Sequence, residues 1–236
     1  MPDPDARPQP DLERPAGVPN DPSAAPTYTV DDWLAAAEPK NDAAAIPSRL
    51  VRLVNAISTA PPGQLNTNDP VATRIADRQA AVLVLLNDTG DGPEVVLLQR
   101  SYTLRHHPGE IAFPGGSRES TDRDPGATAL REAAEEIGLN PSSVDPLVTL
   151  PRLHIGVSGF DVTGVVALWR QPGPVYPVNP AETHRVLTVA LPDLDNPDRW
   201  HQYECNDWSG PATFLDGGAR LWGYTAEILL YMSKNR

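Results

Sequence analysis

The order of apolar and polar positions predicts strands on both sides of one central helix. Residues 80–86 are almost continuously apolar and predict a buried strand, and residues 94–100 predict the strand that returns after a turn-rich connection at 88–93, as in a β-hairpin. Further strands are predicted at 147–153, 159–169, 186–191, 200–204, near 212–215 and at 220–222, followed by a closing helix at about 224–232. Strands before and after a central helix predict an α/β (α+β) sandwich around a mixed sheet.

The central helix is predicted at 125–137 from signals at both of its ends. Asp124 can accept hydrogen bonds as the N-cap, and Pro125 suits the first helical position, where its missing N–H costs nothing. Gly138 suits the left-handed residue after the helix, Leu139 can close the apolar contact, and Pro141 prevents continuation. The stripe predicted to be buried consists of Ala127, Leu130, Ala134 and Ile137.

Three glutamates lie on roughly the opposite face of this helix. Glu132, Glu135 and Glu136 occupy positions i, i+3 and i+4, where like charges destabilise a helix by about 0.2–0.5 kcal/mol per pair. Such a cluster makes most sense if a positive charge sits among the carboxylates.

The N-terminal part divides into a tail and a helical extension. Residues 1–26 are rich in Pro, Asp and Ala and predict a disordered tail, whereas residues 27–236 predict a single domain with a helical extension at 29–60 and a catalytic core at 79–236. Thr29 can cap a helix that reaches Glu38. A second helix is predicted from Pro47 to about Ile57, with Arg49 and Arg52 facing solvent, and its apolar face consists of Leu50, Leu53, Val54 and Ile57. A polar linker leads from this helix to Arg78.

The net charge and the cysteine content argue against several classes of function for this sequence. The 236 residues carry a formal net charge of −12, which disfavours nucleic-acid binding, although a divalent metal could still bring a phosphorylated small molecule to an acidic surface. Cys205 is the only cysteine, so neither an intramolecular disulfide nor a cysteine-based zinc site is expected. No signal peptide is visible and no apolar run could span a bilayer. A cytoplasmic protein without a membrane partner is therefore expected.

The helix sequence Arg131-Glu-Ala-Ala-Glu-Glu-Ile-Gly-Leu139 resembles the second half of the signature of the Nudix hydrolases. In that signature, a glycine and an acid precede the arginine. Counting back by the usual spacing gives Arg123 instead of the acid, whereas one extra loop residue gives Gly116-x5-Asp122-x8-Arg131. This lengthened form resembles the coenzyme A (CoA) pyrophosphatase branch of the family.

The segment before the helix strengthens the resemblance to that branch. Its upstream motif is LLT-x-[Ser/Ala]-x3-Arg-x3-Gly-x3-Phe-Pro-Gly-Gly, and residues 97–116 match it except that Gln99 replaces threonine. The matching polar and loop residues are Ser101, Arg105, Gly109, Phe113, Gly115 and Gly116. Residues 222–226 also resemble the Trp-Gly-x-Thr-Ala element near the C-terminus of the branch.

The resemblance implies a Nudix fold, an α/β/α arrangement in which helices sandwich a mixed sheet, and a catalytic metal centre. It implies that Glu132, Glu135 and Glu136 are catalytic residues that bind Mg²⁺ or Mn²⁺, and that Arg131 pairs with Asp122 to orient the helix. If Asp122 is not the matching acid, Arg131 could instead bind Glu119 or Asp124. The residues expected at the substrate are Arg100, Ser101, Arg105, Gly109, Phe113, Gly115 and Gly116, with the two arginines suited to phosphate groups.

The implied reaction is metal-dependent hydrolysis of the pyrophosphate of CoA or acyl-CoA to 3′,5′-ADP and (acyl-)4′-phosphopantetheine. Because CoA also carries a ribose 3′-phosphate, more than one basic contact is expected. Gln99 and the Thr163-Gly164 segment leave open another nucleoside diphosphate derivative, such as ADP-ribose, NADH or a nucleoside triphosphate.

Two further possibilities, a binding module and a homodimer, and the role of one more acidic residue are left open by the sequence. A Nudix module that binds a nucleotide without cleaving it is an alternative from another class. Glu182 could touch a metal or act as a base, although the sequence does not identify the general base. The closing helix and the helices before residue 60 could form a homodimer contact.

Overall fold

The computed structural model describes residues 47–58, 78–155, 159–205 and 208–235. The predicted tail, the helix predicted from Thr29 to Glu38 and the polar linker lie outside these residues. None of the helices in the described part is long and apolar enough to cross a membrane.

A mixed sheet forms the centre of the described chain, and a small antiparallel sheet accompanies it. The helices are α1 (Ser48–Ser58), α2 (Pro125–Ile137) and α3 (Gly223–Lys234). The strands of the mixed sheet are β1 (Arg78–Asp88), β2 (Pro93–Arg100), β3 (Ile111–Ala112), β4 (Gly115–Ser117), β5 (Val144–Thr149), β6 (Leu153–Ile155), β7 (Phe160–Trp169) and β8 (Thr183–Ala190). The small sheet contains β9 (His201–Cys205), β10 (Trp208–Phe214) and β11 (Arg220–Leu221).

Strand β1 organises the mixed sheet because three strands pair with it. It forms the predicted antiparallel hairpin with β2, in which Asp88 pairs with Pro93, and it runs parallel to β7. Strand β4 pairs antiparallel with β1, so Gly115 lies opposite Val82. Gly164 of β7 is the other neighbour of Val82, and these three residues form one row across the sheet.

Side chains on the two faces of this sheet enter separate apolar clusters. On one face α2 buries Leu130, Ala133 and Ile137 against β1, β2 and β7. On the other face α1 and α3 cover the alternate strand positions, with Leu53 and Ile57 of α1 fully buried. The fold is therefore the predicted sandwich, with α2 on one side and α1 and α3 on the other.

Several predicted details are corrected. Residues 147–153 form two strands, β5 and β6, because Pro151 has no N–H to donate between them, and β5 begins earlier, at Val144. Gly115 and Gly116, where no strand was predicted, start strand β4. Ala133 of α2 is buried, whereas Ala134 is half-buried.

Arg49 of α1 is partly exposed, with 38% of its side chain accessible, but it also has partners in the sheet. Its guanidinium forms an ion pair with Asp88 and donates to the carbonyl oxygen of Gly90 at 2.7 Å. Arg49 thus ties α1 to the connection between β1 and β2.

Candidate functional site

Helix α2 is fixed at both ends, as its sequence predicts. The Asp124 carboxylate accepts a hydrogen bond from the Ala127 N–H at 2.8 Å, and Gly138 adopts the left-handed conformation with φ +66°. A distant loop adds to the C-terminal cap: the backbone N–H groups of Tyr176 and Val178 donate to the carbonyl oxygens of Ile137 and Glu136 at 3.0 and 3.1 Å. These contacts hold the last turn, which carries Glu136, in a set position.

The Glu136 carboxylate points at the start of β4. Its Oε2 accepts a hydrogen bond from the backbone N–H of Gly115 at 2.9 Å. Gly115 has φ +156°, and a β-carbon there would lie 2.4 Å from the carbonyl oxygen of Ala81, so no other residue fits without a shift. Burial, helped by the neighbouring Glu132 carboxylate, raises the pKa of Glu136 to about 7, although the hydrogen bond from Gly115 acts in the opposite direction.

Glu132 occupies the space beside the next glycine. A β-carbon on Gly116 would lie 2.5 Å from the carboxyl carbon of Glu132 and 2.6 Å from each of its oxygens. Burial also raises the pKa of Glu132, although the adjacent Arg131 acts in the opposite direction. Gly115 and Gly116 thus allow two glutamates of α2 to approach the backbone of β4.

The positive charge expected among the glutamates is present, and Arg131 supplies it. Its Nη1 lies 3.0 Å from Oε1 of Glu132 and 3.2 Å from Oε2 of Glu135, and its Nη2 donates to the carbonyl oxygen of Ser117 at 2.9 Å. Glu135 is 60% exposed and turns toward this guanidinium. Arg131 therefore offsets the charge of two of the three glutamates, whereas Glu136 accepts a hydrogen bond from Gly115.

The ion pair expected between Arg131 and Asp122 is present. Nε and Nη2 of Arg131 lie 3.1 and 3.0 Å from Oδ1 and Oδ2 of Asp122, which is 3% exposed. Burial raises the pKa of the Asp122 carboxyl, but the hydrogen bonds from Arg131 and from the Glu119 N–H outweigh it and leave the pKa below its usual value. Of the alternatives, the Glu119 carboxylate is 3.9 Å from Arg131, and Asp124 pairs with Arg123.

The three glutamates do not form a preformed cage. Within the described residues, no three His, Cys, Asp or Glu side chains are grouped closely enough to hold a metal ion. Mg²⁺ commonly uses one or two carboxylates and keeps water or substrate phosphate as its other ligands. The oxygen donors of Glu132 and Glu136, which both approach the backbone of β4, fit that pattern. Glu135 differs from them because its side chain is 60% exposed.

The predicted substrate residues occupy different environments. Arg100 ends β2, its charge acts on Glu136, and its Nε is buried without a hydrogen-bond partner. Arg105 is exposed in the following loop. Ser101 is 6% exposed and shares a hydrogen bond with the Thr103 hydroxyl at 2.9 Å. Phe113 is 3% exposed within the apolar cluster under α1 and α3, so the structure gives it a packing role.

Sequence reasoning missed a polar pair behind this loop. Gln99 is 1% exposed, and its Oε1 accepts a hydrogen bond from Nε of Arg185 at 2.7 Å. Its Nε2 donates to the Tyr102 hydroxyl at 2.9 Å and to the carbonyl oxygen of Gly109 at 3.0 Å. The one available signal was that Gln99 departs from the threonine of the motif.

Comparison with known proteins identifies the family. The model of the NUDIX domain matches residues 77–208, which contain α2, the glycines of β4 and the acid–arginine pair. The chain therefore belongs to the Nudix family and has its fold.

Relatives in plants and bacteria share parts of this sequence. The chain is 38% identical over 169 residues to Nudix hydrolase 22, chloroplastic, of Arabidopsis thaliana, a match that covers 66% of this chain and 55% of that protein. It is 50% identical over 93 residues to the Nudix hydrolase NudL of Pectobacterium atrosepticum, covering 39% of this chain and 46% of the relative. The chain thus spans about half the length of these two curated relatives. A MutT/nudix family protein from Enterococcus faecalis has a solved structure with a TM-score of 0.44 and 18% identity, covering 80% of this chain and 74% of that one.

Proposed function

We propose that this protein is a divalent-metal-dependent pyrophosphohydrolase that cleaves the pyrophosphate of CoA or acyl-CoA to 3′,5′-ADP and (acyl-)4′-phosphopantetheine. The observation that carries the proposal is the joint placement of Glu132 and Glu136 against the Gly115-Gly116 backbone, with the charge of Arg100 acting on Glu136. Two carboxylates and an arginine with an unpartnered nitrogen suit a ligand that brings phosphate groups together with Mg²⁺ or Mn²⁺.

Each residue of the site would have a different role in such a reaction. Glu132 and Glu136 would hold the metal ion, which when bound supplies positive charge at the phosphate oxygens and activates water. Arg100 would bind a phosphate oxygen through its buried Nε, which has no other partner. Arg131 and Asp122 would keep α2 in register with the loop before it. Arg105, in the exposed loop, would bind a phosphate group of the substrate from the solvent side.

Glu182 is the proposed additional carboxylate of the site. Its side chain accepts a hydrogen bond from Asn179 at 2.9 Å, its carbonyl oxygen accepts from the Ser101 N–H at 2.8 Å, and its charge raises the pKa of Glu136. This position suits either a contact to the metal or the role of base.

CoA is proposed as the substrate because of the motif of the CoA pyrophosphatase branch, and another nucleoside diphosphate derivative is the alternative. Residues 97–116 match the CoA pyrophosphatase motif apart from Gln99. Because Gln99 stands where that motif has threonine, ADP-ribose, NADH or a nucleoside triphosphate is the alternative substrate.

A turnover panel tests the proposal. The full chain with Mg²⁺ is offered CoA, ADP-ribose and NADH, and products are separated by chromatography. We expect cleavage of CoA that EDTA abolishes and that Glu136→Gln lowers by about 10³-fold or more. Cleavage of ADP-ribose or NADH in preference to CoA selects the alternative substrate, and nucleotide binding without any cleavage selects the binding module.

Metal binding has a readout that is independent of turnover. A ligand that binds only the folded state raises the melting temperature. We expect Mg²⁺ or Mn²⁺ to raise the melting temperature of the wild-type protein and to raise that of Glu136→Gln less. The matched control is Glu204→Gln, which changes an exposed carboxylate of β9. Equal shifts in all three proteins would remove Glu136 from the metal site.

A further inference from the structure

Arg185 of β8 carries a guanidinium that no carboxylate of the described residues neutralises. Its Nε donates to Gln99, but its Nη2 is buried and lacks a hydrogen-bond partner. A buried cationic donor without a partner is costly, and an anionic ligand would satisfy both the charge and the N–H groups. The fork of a guanidinium fits a phosphate group in particular.

Gln99 holds this guanidinium in one orientation. Both protons of its amide nitrogen are directed at acceptors, the Tyr102 hydroxyl and the Gly109 carbonyl oxygen. The amide oxygen of Gln99 therefore faces Arg185. If the amide were turned round, its NH₂ group would face the N–H of Arg185, and two donors would meet. The loop that carries Arg105 thus fixes the donor geometry of Arg185 through Gln99.

The side chains of Arg185 and Arg100 lie on opposite faces of the sheet. Gln99 and Arg185 are cross-strand partners and share a face, which is the face of Leu97 and of α1 and α3. Arg100 is the next residue of β2 and acts on Glu136 of α2, on the other face. Because the two side chains leave the sheet on different faces, we expect an anionic group held by Arg185 to be distinct from one held by Arg100.

We propose that Arg185, oriented by Gln99, binds a second phosphate group of the substrate, a phosphomonoester distinct from the diphosphate that is cleaved. The inference rests on the proposed function, because CoA carries such a group at its ribose 3′ position. Gln99 stands where the branch motif has threonine, so the pair is a feature of this chain beyond the motif.

Kinetics with paired substrates test the assignment. CoA and 3′-dephospho-CoA differ only in the phosphomonoester, and both are assayed with Mg²⁺. For Arg185→Gln we expect the KM for CoA to rise about tenfold with kcat within about twofold, and the KM for 3′-dephospho-CoA to stay unchanged. A rise of the same size for both substrates, or no rise for either, overturns the proposal.

Two further variants control for folding. Arg170→Gln removes an arginine that pairs with Asp145 at 2.5 Å at the opposite end of the sheet, and it should leave both KM values unchanged. Arg185→Lys keeps the charge and loses the fork, so it replaces the glutamine variant if that one unfolds, with a smaller rise in KM for CoA alone. Melting curves confirm that each variant is folded.

Binding measurements separate this proposal from the proposed function. If the protein cleaves no CoA, calorimetry with 3′,5′-ADP and AMP replaces kinetics. We expect the wild-type protein to bind 3′,5′-ADP about tenfold more tightly than AMP and Arg185→Gln to lose that preference. A wild-type protein without the preference, or a variant that keeps it, overturns the phosphate site.

Discussion

Arg131 binds Asp122 through two parallel contacts, Nε to Oδ1 at 3.1 Å and Nη2 to Oδ2 at 3.0 Å. The pair joins α2 to the loop that follows β4, and the carboxylate is almost fully buried. The same guanidinium reaches Glu132 and Glu135, so the position of the glutamates depends on Asp122 through a single side chain.

Replacing Asp122 should therefore act on orientation. We expect Asp122→Ala to lower kcat by about 10²-fold, because a shift of about 1 Å at a reacting group costs that much, and Glu136→Gln to lower it more. The loss of a charged hydrogen-bond partner should also lower the free energy of unfolding by about 1–3 kcal/mol. Steady-state kinetics and urea unfolding measure the two effects, and equal losses of kcat in both variants would contradict the orienting role.

Gly116 should be intolerant of a side chain even though its backbone is ordinary. A β-carbon at this position would collide with the Glu132 carboxylate, so Gly116→Ala should move that group and lower turnover by about 10²-fold with the fold retained. Gly173→Ala is the matched control, because a β-carbon at Gly173 meets nothing within 4 Å. Similar turnover in the two alanine variants would show that Glu132 can move aside without loss.

Glu227 should make stability depend on pH. Its side chain is buried in α3 with an unpartnered Oε1, and burial raises its pKa to about 7 from an ordinary value of 4.5. Below pH 4.5 the carboxyl is protonated in both states, so burial of a charge does not lower the folding stability there. As pH rises from 4.5 to 7, the unfolded chain loses this proton first, so folding stability falls, by about 3 kcal/mol in all.

The variant Glu227→Gln lacks this titration. Its free energy of unfolding relative to wild type should increase between pH 4.5 and 7.5, as measured by urea midpoints at several pH values. Glu204→Gln, on an exposed position of β9, should run parallel to wild type. If the profile of Glu227→Gln were also parallel to wild type, the carboxylate would have to be equally well solvated in both states.

Removing residues 1–26 should leave catalysis unchanged. These residues include few of the large apolar side chains with which a segment packs onto a domain. We expect the shortened protein to keep the kcat and KM of the full chain within about twofold, measured side by side under the same conditions. A large drop would show that the tail contributes to the site.

The helix that carries the glutamates was the most predictable part of the fold, because its signals are local. Asp124 and Gly138 act within a few residues of the helix ends, and both behave as their sequence positions indicate. Strand β5 was less predictable because Pro146 is a local signal for a break. The strand tolerates it at the edge of the sheet, where the register with β7 shifts between Pro146 and Val148.

In the candidate site, too, contacts with a local sequence signal were predictable and contacts between distant residues were not. The pair of Arg131 and Asp122 followed from a short motif, whereas the bond between Gln99 and Arg185 joins residues 86 positions apart. No local pattern indicates such a contact, since it arises only when β8 pairs with β2. Arg49 is a similar case, because its partner Asp88 comes close only after α1 packs on the sheet.

The loop from Pro172 to Pro180 has a consequence for the motions of α2. Because Tyr176 and Val178 donate to carbonyl oxygens of the last helical turn, that turn cannot unwind without detaching the loop. The four prolines of the segment restrict its backbone, so little conformational freedom is lost when it docks. The amide protons at the end of α2 and those of Tyr176 and Val178 should therefore exchange with solvent at a common rate, as one cooperative unit.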